Sequence, residues 1–146
     1  MKQPKSVQVV VYRESAGNRQ YLLLRRQRPG SEDFWQPVSG SLEVGESYSD
    51  AASRELEEET GIGDPASLIE IGLVDRFAIA DAWRGLYEPG VTHNVQAAFA
   101  ARVAREDVSI DPGEHNDFCW TTYDRARSLV KYEPNRRAID LVESGL

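Results

Sequence analysis

Four glutamates crowd into residues 54–61, which read Arg-Glu-Leu-Glu-Glu-Glu-Thr-Gly. At about 100° per residue on a helix, Glu55, Glu58 and Glu59 fall within an arc of about 100°, whereas Glu57 points almost the opposite way. Like charges at these spacings repel each other unless a cation neutralises them. Hard divalent ions such as Mg²⁺ bind carboxylate oxygens and substrate phosphates together. The stretch therefore indicates either a divalent-metal site or a solvated acidic helix face.

The residues around this stretch carry the signals that begin and end a helix. Ser47 can accept a hydrogen bond from a free backbone N–H group of the first turn, and Asp50 completes a capping-box pattern. Gly61 suits the left-handed backbone conformation that follows a helix. The sequence therefore predicts a helix from about Ser47 to Thr60, with the carboxylates near its end.

Short β-rich runs and turn residues make up most of the remaining chain. A loop rich in glycine and serine is predicted between residue 38 and Gly45, and Pro134 suits the first position of a late helix. This order predicts an α/β fold in which helices pack on a mixed sheet. The predicted strands are residues 7–12, 21–26, 34–38, 68–80, 93–103 and 117–121, and the later helices are residues 123–130 and 134–142.

The composition limits the classes of function. With 146 residues, the chain is expected to form one domain, residues 1–146. The formal charge of -7 repels nucleic acid and anionic lipid, so an anionic substrate must meet local cations. Cys119 is the only cysteine, and no apolar run approaches the roughly 18 residues of a membrane span. We expect a cytoplasmic protein with no disulfide, no signal peptide and no obligate protein partner.

The flanks of the carboxylate stretch complete a longer pattern. From Gly40 the chain reads Gly, five residues, Glu46, seven residues, Arg-Glu-Leu at 54–56, one residue, Glu-Glu at 58–59, one residue, and Gly-Ile at 61–62. This pattern resembles the Nudix box in every fixed position, a match expected by chance less than about once in 10⁸ starting points. The resemblance implies a Nudix hydrolase, which cleaves a nucleoside diphosphate linked to another group or a related pyrophosphate compound. It also implies an α/β/α sandwich around a mixed sheet.

The resemblance also implies a metal centre made from the box. Glu55, Glu58 and Glu59 would hold Mg²⁺, for which Mn²⁺ can substitute. Gly40 would lend its backbone carbonyl to the ion, and the absence of a side chain there permits close approach of the backbone.

Other residues are implied to support this centre. Arg54 and Glu46 would form an ion pair that anchors the loop to the helix and orients the ligands. Glu114, in a loop before the last strand, would be a further metal ligand or the base that activates water. Glu58 is the other candidate for that base, and the two remain open. His115 is expected to be an ordinary loop residue.

Several segments outside the box resemble the dihydroneopterin triphosphate diphosphatases of bacterial folate synthesis. One departure from many Nudix proteins is Val38-Ser39-Gly40, where those proteins have Pro-Gly-Gly. The resemblance implies hydrolysis of dihydroneopterin triphosphate to the monophosphate and pyrophosphate. The alternatives are a nucleotide-pool enzyme acting on dATP or another nucleoside triphosphate, and a catalytically silent module that senses a nucleotide. The similar segments are residues 2–6, 34–36, 38–41, 87–94, 114–115 and 135–136.

Five residues are candidates for contact with the substrate. Arg26 and Lys2 would supply cations for the triphosphate, since adjacent strands would place both at one sheet edge. Ser39 could donate its hydroxyl to a phosphate or to the pterin ring. Trp35 and Phe77 could stack on a flat heterocycle. Ordinary surface, turn and core roles are the alternatives for all five.

Overall fold

The computed structural model describes residues 1–28 and 30–145. Within these residues the chain forms a seven-stranded sheet, three α-helices and one 3₁₀ helix. None of the described helices is long and apolar enough to cross a membrane. The strands are β1 (Lys5–Ser15), β2 (Asn18–Arg26), β3 (Phe34–Gln36), β4 (Val38–Ser41), β5 (Ser67–Ala78), β6 (His93–Arg102) and β7 (His115–Thr121), and the α-helices are α1 (Tyr48–Thr60), α2 (Tyr123–Leu129) and α3 (Glu133–Glu143).

The sheet is mixed, as predicted. Its main order is β3-β2-β1-β6-β5, with β4 added to β1 and β7 added to β2. β1 and β6 are parallel, and the other neighbours are antiparallel. β1 and β2 pair only between Val11 and Ser15 of β1, so the two strands separate towards the start of β1. There β1 pairs with β4, while the end of β2 pairs with β3.

Helices cover both faces of this sheet. Successive side chains of a strand point to opposite faces, so β1 supplies both layers. Val9 packs in a core cluster with Leu56 of α1, and Val10 packs in a second cluster with Ile139 of α3. The result is the predicted α/β/α sandwich, with α1 alone on one face and α2 and α3 on the other.

The helix that carries the carboxylates begins and ends as its sequence predicts. The side chain of Ser47 accepts a hydrogen bond from the backbone N–H of Asp50 at 3.1 Å. Gly61 adopts a left-handed conformation with φ of 78°, and its N–H donates to the carbonyl of Glu57 at 2.8 Å. These caps satisfy backbone groups that the helix itself leaves free. The position of α1 along the chain is thus set locally.

Several predicted bounds differ from the structure; β1 and β2, for example, begin earlier than predicted, at Lys5 and Asn18. The predicted strand 34–38 is broken at Pro37, which lacks the N–H that a continuous ladder needs, and the predicted loop after it contains β4. β7 begins at His115, two residues earlier than predicted. The connection between β5 and β6 contains a 3₁₀ helix, Asp81–Leu86, for which the sequence shows no helical periodicity.

Candidate active site

The close packing of β4 against α1 depends on Gly40. Gly40 lies opposite Val7 of β1, and cross-strand partners share a face, so it faces α1. A Cβ atom at this position would lie 2.2 Å from both Cδ and Oε1 of Glu55. Only a residue without a side chain leaves room for this carboxylate against the strand. Gly40 and Glu55 are therefore brought together as the pattern predicts.

Glu59 is the most buried carboxylate of the group. Its residue exposure is 1%, and neither carboxylate oxygen has a hydrogen-bond partner among the described residues. Burial, reinforced by the neighbouring carboxyl groups of Glu55 and Glu114, raises the pKa of Glu59 to about 10. A charged group in this position needs a cation beside it. Among residues 1–28 and 30–145, no lysine or arginine pairs with Glu59.

Arg54 links five acceptor oxygens, from four residues, around these carboxylates. Its Nε and Nη2 atoms donate to the two oxygens of Glu46, both at 2.8 Å, which forms the predicted ion pair. Nη1 donates to Glu55 at 2.8 Å and to Glu58 at 3.1 Å, and Nη2 also donates to the carbonyl of Ser41 at 3.0 Å. The guanidinium lowers the pKa of Glu46 to about 2, and the carboxylates raise the pKa of Arg54. The loop after β4 is thereby fastened to α1.

The predicted carboxylate face has a buried part and an exposed part. Glu55 and Glu59 are buried on the side of α1 that faces β4, whereas 57% of the Glu58 side chain is exposed. Glu57 is exposed and lies near Gly63, beyond the end of the helix. Glu58 therefore joins the site at its solvent edge, through Arg54.

His115 is a buried residue of the site that the sequence analysis missed. It is the first residue of β7, its exposure is 0%, and its Nε2 lies 3.6 Å from Oε1 of Glu59. Burial, with a further contribution from Arg26, lowers the pKa of His115 to about 4. No periodicity could have revealed it, because the register shifts between Arg25 and Arg26, just where β2 pairs with the start of β7.

Glu114 also reaches the carboxylates, as the sequence predicts. One ligand atom each from Glu59, Glu114 and His115 lie within 4.8 Å of one another. Oε2 of Glu114 is 3.8 Å from Nη1 of Arg26, and 46% of the Glu114 side chain is exposed. The loop before β7 thus places one exposed acid and one buried imidazole beside α1.

Cations gather at this end of the sheet. Lys2, just before β1, lies close enough to Arg26 and Arg28 for their charges to act on its ammonium group. Burial, followed by the charges of Arg28 and Arg26, lowers the pKa of Lys2. Its ammonium lies 5.9 Å from the centre of the Tyr87 ring. Nε of Arg26 is buried and has no hydrogen-bond partner within the part of the chain that the structure describes.

The structure does not bring the side chains of Ser39, Trp35 or Phe77 against the carboxylates, although the backbone of Ser39 lies close enough to Glu59 to oppose the rise in the pKa of that group. Ser39 lies opposite Gln8, which donates to the carbonyl of Pro134 at the start of α3. Trp35 packs on the cluster under α2 and α3. Phe77 pairs with Asn94 in the register that places both on that same face, and 41% of Phe77 is exposed. The three lie on the face opposite to α1, since cross-strand partners point the same way.

Comparison with known proteins identifies the family. The model of the NUDIX domain family matches residues 2–142. The chain belongs to the NUDIX family. The predicted Nudix hydrolase and its sandwich fold are confirmed.

Relatives of this NUDIX protein include enzymes named for one substrate. It is 36% identical over 142 residues to dihydroneopterin triphosphate diphosphatase of Escherichia coli K12, covering 95% of this chain and 91% of that protein. Identity to the Haemophilus influenzae protein of the same name is 33% over 141 residues, 94% of this chain and 86% of that one. The structure of E. coli dihydroneopterin triphosphate pyrophosphohydrolase matches with a TM-score of 0.79 and 35% identity, covering 95% of this chain and 94% of that chain. The predicted resemblance to this branch is confirmed.

NUDIX hydrolases generally use a divalent metal ion, and this site fits one. The buried oxygens of Glu59 lack partners among the residues described, and the glycine at position 40 leaves open backbone beside Glu55. Carboxylate oxygens and a backbone carbonyl are the donors that hard divalent ions take. An ion here would supply the positive charge that the buried Glu59 carboxylate requires.

Proposed function

We propose that this NUDIX protein is a Mg²⁺-dependent pyrophosphohydrolase that converts dihydroneopterin triphosphate to dihydroneopterin monophosphate and pyrophosphate. The observation that carries the proposal is the intact carboxylate site, in which Gly40, Glu55 and Glu59 meet behind Arg54. A silent binding module would not need to keep unpartnered carboxylate oxygens in its interior, where they destabilise the fold. The proposed substrate is the one for which the relatives are named. The alignment with the E. coli relative covers 95% of this chain.

The donor set suits Mg²⁺, with Glu55, Glu59, Glu58, Glu114 and the carbonyl of Gly40 as the residues that would hold it. When bound, such an ion neutralises charge on phosphate oxygens and makes water a stronger acid. The compartment we propose is the cytoplasm, which suits the free thiol of Cys119.

Arg54 has a positioning role in this proposal. Its contacts hold Glu55 and Glu58 in fixed orientations, since a guanidinium donates along several directions at once. The side chains of Glu46 and Arg54 are 13% and 22% exposed, so water weakens this pair only partly. Loss of Arg54 would free the carboxylates to rotate away from the phosphates, which lowers the rate without removing a reacting group.

Glu58 and Glu114 are the two residues able to take the proton from water. Both side chains are about half exposed, at 57% and 46%, and each lies beside an arginine, at 3.1 Å and 3.8 Å respectively. A carboxylate that is open to solvent and oriented by an arginine can accept a proton from a neighbouring water. Glu59 is a poor candidate because its oxygens are buried and would be taken up by the ion.

The triphosphate would lie along the cations at the end of the sheet. Arg26, with its unpartnered Nε, and Lys2 lie beside Glu114, and Arg28 is close enough to lower the pKa of Lys2. These groups create a local positive field in a protein whose formal charge is -7. These cations would attract the phosphates of an anionic substrate to this end of the molecule.

The two faces of β4 suggest how ring and phosphates are divided. Ser39 points to the sheet face covered by α3, and Gly40 lies on the face covered by α1. Among the described strands, β4 is hydrogen-bonded only to β1. A substrate that crosses the free edge of β4 would keep its phosphates at the carboxylates. Its ring would lie on the opposite face, where Phe77 and the buried amide of Asn94 are found.

The proposal is tested by measuring pyrophosphate release from dihydroneopterin triphosphate, dATP, dGTP, ATP and ADP-ribose at matched concentrations with Mg²⁺. We expect the highest kcat/KM for the pterin, because this ratio reports differential binding of the transition state. A buried polar group left unpaired by the wrong ring costs about 1 to 3 kcal/mol, or roughly 5- to 150-fold. Equal values for the pterin and dATP would reduce the function to a general triphosphate pyrophosphohydrolase, and a preference for ADP-ribose would refute it. A folded protein inactive on every substrate would instead indicate the binding module.

A further inference from the structure

The imidazole of His115 is buried without a use in the fold. Its exposure is 0%, and neither Nδ1 nor Nε2 has a hydrogen-bond partner in residues 1–28 and 30–145. Buried polar atoms are nearly always hydrogen-bonded, so an unpartnered pair on one ring needs an explanation. The backbone of His115 is well satisfied, since its N–H donates to the carbonyl of Asp111 at 2.9 Å. Only the ring lacks a structural role.

The same ring is directed at a second set of unpartnered atoms. Nε2 lies 3.6 Å from Oε1 of Glu59, beyond hydrogen-bond distance, and both Glu59 oxygens also lack partners in the described chain. A ligand atom of Glu114 completes a group whose members lie within 4.8 Å of one another. Two donor atoms that lie opposite each other without a hydrogen bond between them are placed to bind one ion. Bonds from zinc to nitrogen and oxygen, for comparison, are about 2.0 to 2.2 Å long.

We propose that His115 is a nitrogen ligand of the metal centre, so that the centre that binds Mg²⁺ also binds Mn²⁺ more tightly than oxygen donors alone would allow. Imidazole binds transition ions, most strongly those later in the series than Mn²⁺, whereas Mg²⁺ takes oxygen donors. Both Mn²⁺ and Mg²⁺ accept the carboxylates of Glu59 and Glu114, so loss of the imidazole should weaken Mn²⁺ binding more than Mg²⁺ binding. The inference rests on the proposed function in sharing its metal centre, but it concerns ion binding and requires no substrate.

The direct test is pulsed electron paramagnetic resonance of the Mn²⁺-loaded protein without substrate. An imidazole ligand produces a ¹⁴N modulation of the electron spin echo. The chain has two histidines, His93 and His115, and the Nδ1 atom of His93 already lies 2.9 Å from the hydroxyl of Thr92. We expect the modulation in the wild type and in the matched control His93→Gln, and its loss in His115→Gln. A wild-type echo without ¹⁴N modulation would overturn the proposal, even if His115→Gln fails to fold.

A second measurement compares affinities by calorimetric titration with Mn²⁺ alone and Mg²⁺ alone. The dissociation constant for Mg²⁺ divided by that for Mn²⁺ should fall about 10-fold or more in His115→Gln. A change of this size is within the range found when metal-site partners are removed. An unchanged ratio in a folded variant would contradict the proposal. Turnover of dihydroneopterin triphosphate by the wild-type protein is assayed separately. If the wild type shows the ¹⁴N modulation but no turnover, only the proposed function is contradicted. If it shows turnover but no modulation, only the histidine ligand is contradicted.

Discussion

Gly40→Ala is the most specific perturbation that the structure offers. The new methyl group would lie 2.2 Å from the Glu55 carboxylate, whereas ordinary contact begins at 3.4 Å. The carboxylate must therefore move by roughly 1 Å, because the strand backbone cannot yield in a close-packed layer. A misplacement of about 1 Å in a catalytic arrangement costs about 100-fold, or roughly 2.7 kcal/mol of transition-state stabilisation.

The fold should tolerate this substitution. Gly40 is not among the residues with positive φ, so alanine can adopt its strand conformation without strain. The atoms that must move belong to the end of a flexible side chain, and we expect Tm to change by no more than about 5 °C. Loss of activity without loss of folding is thus the expected signature.

The assay is kcat/KM for pyrophosphate release, together with Mg²⁺ affinity by calorimetry and Tm. Gly85→Ala is the matched control, since a Cβ there meets no described atom within 4 Å and Gly85 has no positive φ. If Gly40→Ala retained wild-type kcat/KM and Mg²⁺ affinity, the Glu55 carboxylate would have to accommodate the methyl group without leaving its functional position. The proposed role of the glycine would then be wrong.

Three further predictions concern the charged groups of the site. Glu59→Gln should weaken Mg²⁺ binding and lower turnover by about 100-fold or more, as expected for a lost ligand. Glu57→Gln should be near wild type in both assays. Equal losses in the two variants would contradict the prediction that Glu57 points away from the site. In metal-free protein the free energy of unfolding should fall as pH rises from about 5 towards 10, because folded Glu59, with its raised pKa, keeps a proton that the unfolded chain releases. Denaturant titrations at several pH values check this, and Glu59→Gln should flatten the slope. Arg54→Ala should lower kcat about 10-fold or more with a smaller effect on Tm; a large drop in Tm with normal turnover would make its pairing with Glu46 merely structural.

The carboxylate helix could be predicted well because its determinants are local. Ser47 and Gly61 set its ends through hydrogen bonds to their own neighbours. The ion pair of Arg54 with Glu46 follows from residues eight positions apart at one loop and helix. Interactions over so few residues depend little on the rest of the chain.

Other features could not be predicted because they depend on distant strands. Pro37 ends one strand in any context, but that the next four residues form β4 depends on the separation of β1 from β2. Trp35 and Phe77 are aromatic residues in strands, and an alternating pattern does not say which face meets which helix. Register with β2 and β6 decides that both lie opposite α1.

By itself the sequence determined the chemistry of the centre: a set of glutamates at helical spacing, a glycine that must lack a side chain, and the arginine that joins them. Tertiary structure alone decided which glutamates are buried, because burial depends on how β4 packs against α1. It also decided that His115 faces Glu59, across 56 positions of chain, through the pairing of β7 with β2. Local rules specify residue types and helix ends, whereas the surroundings of a charge are set by strands that meet only in the folded sheet.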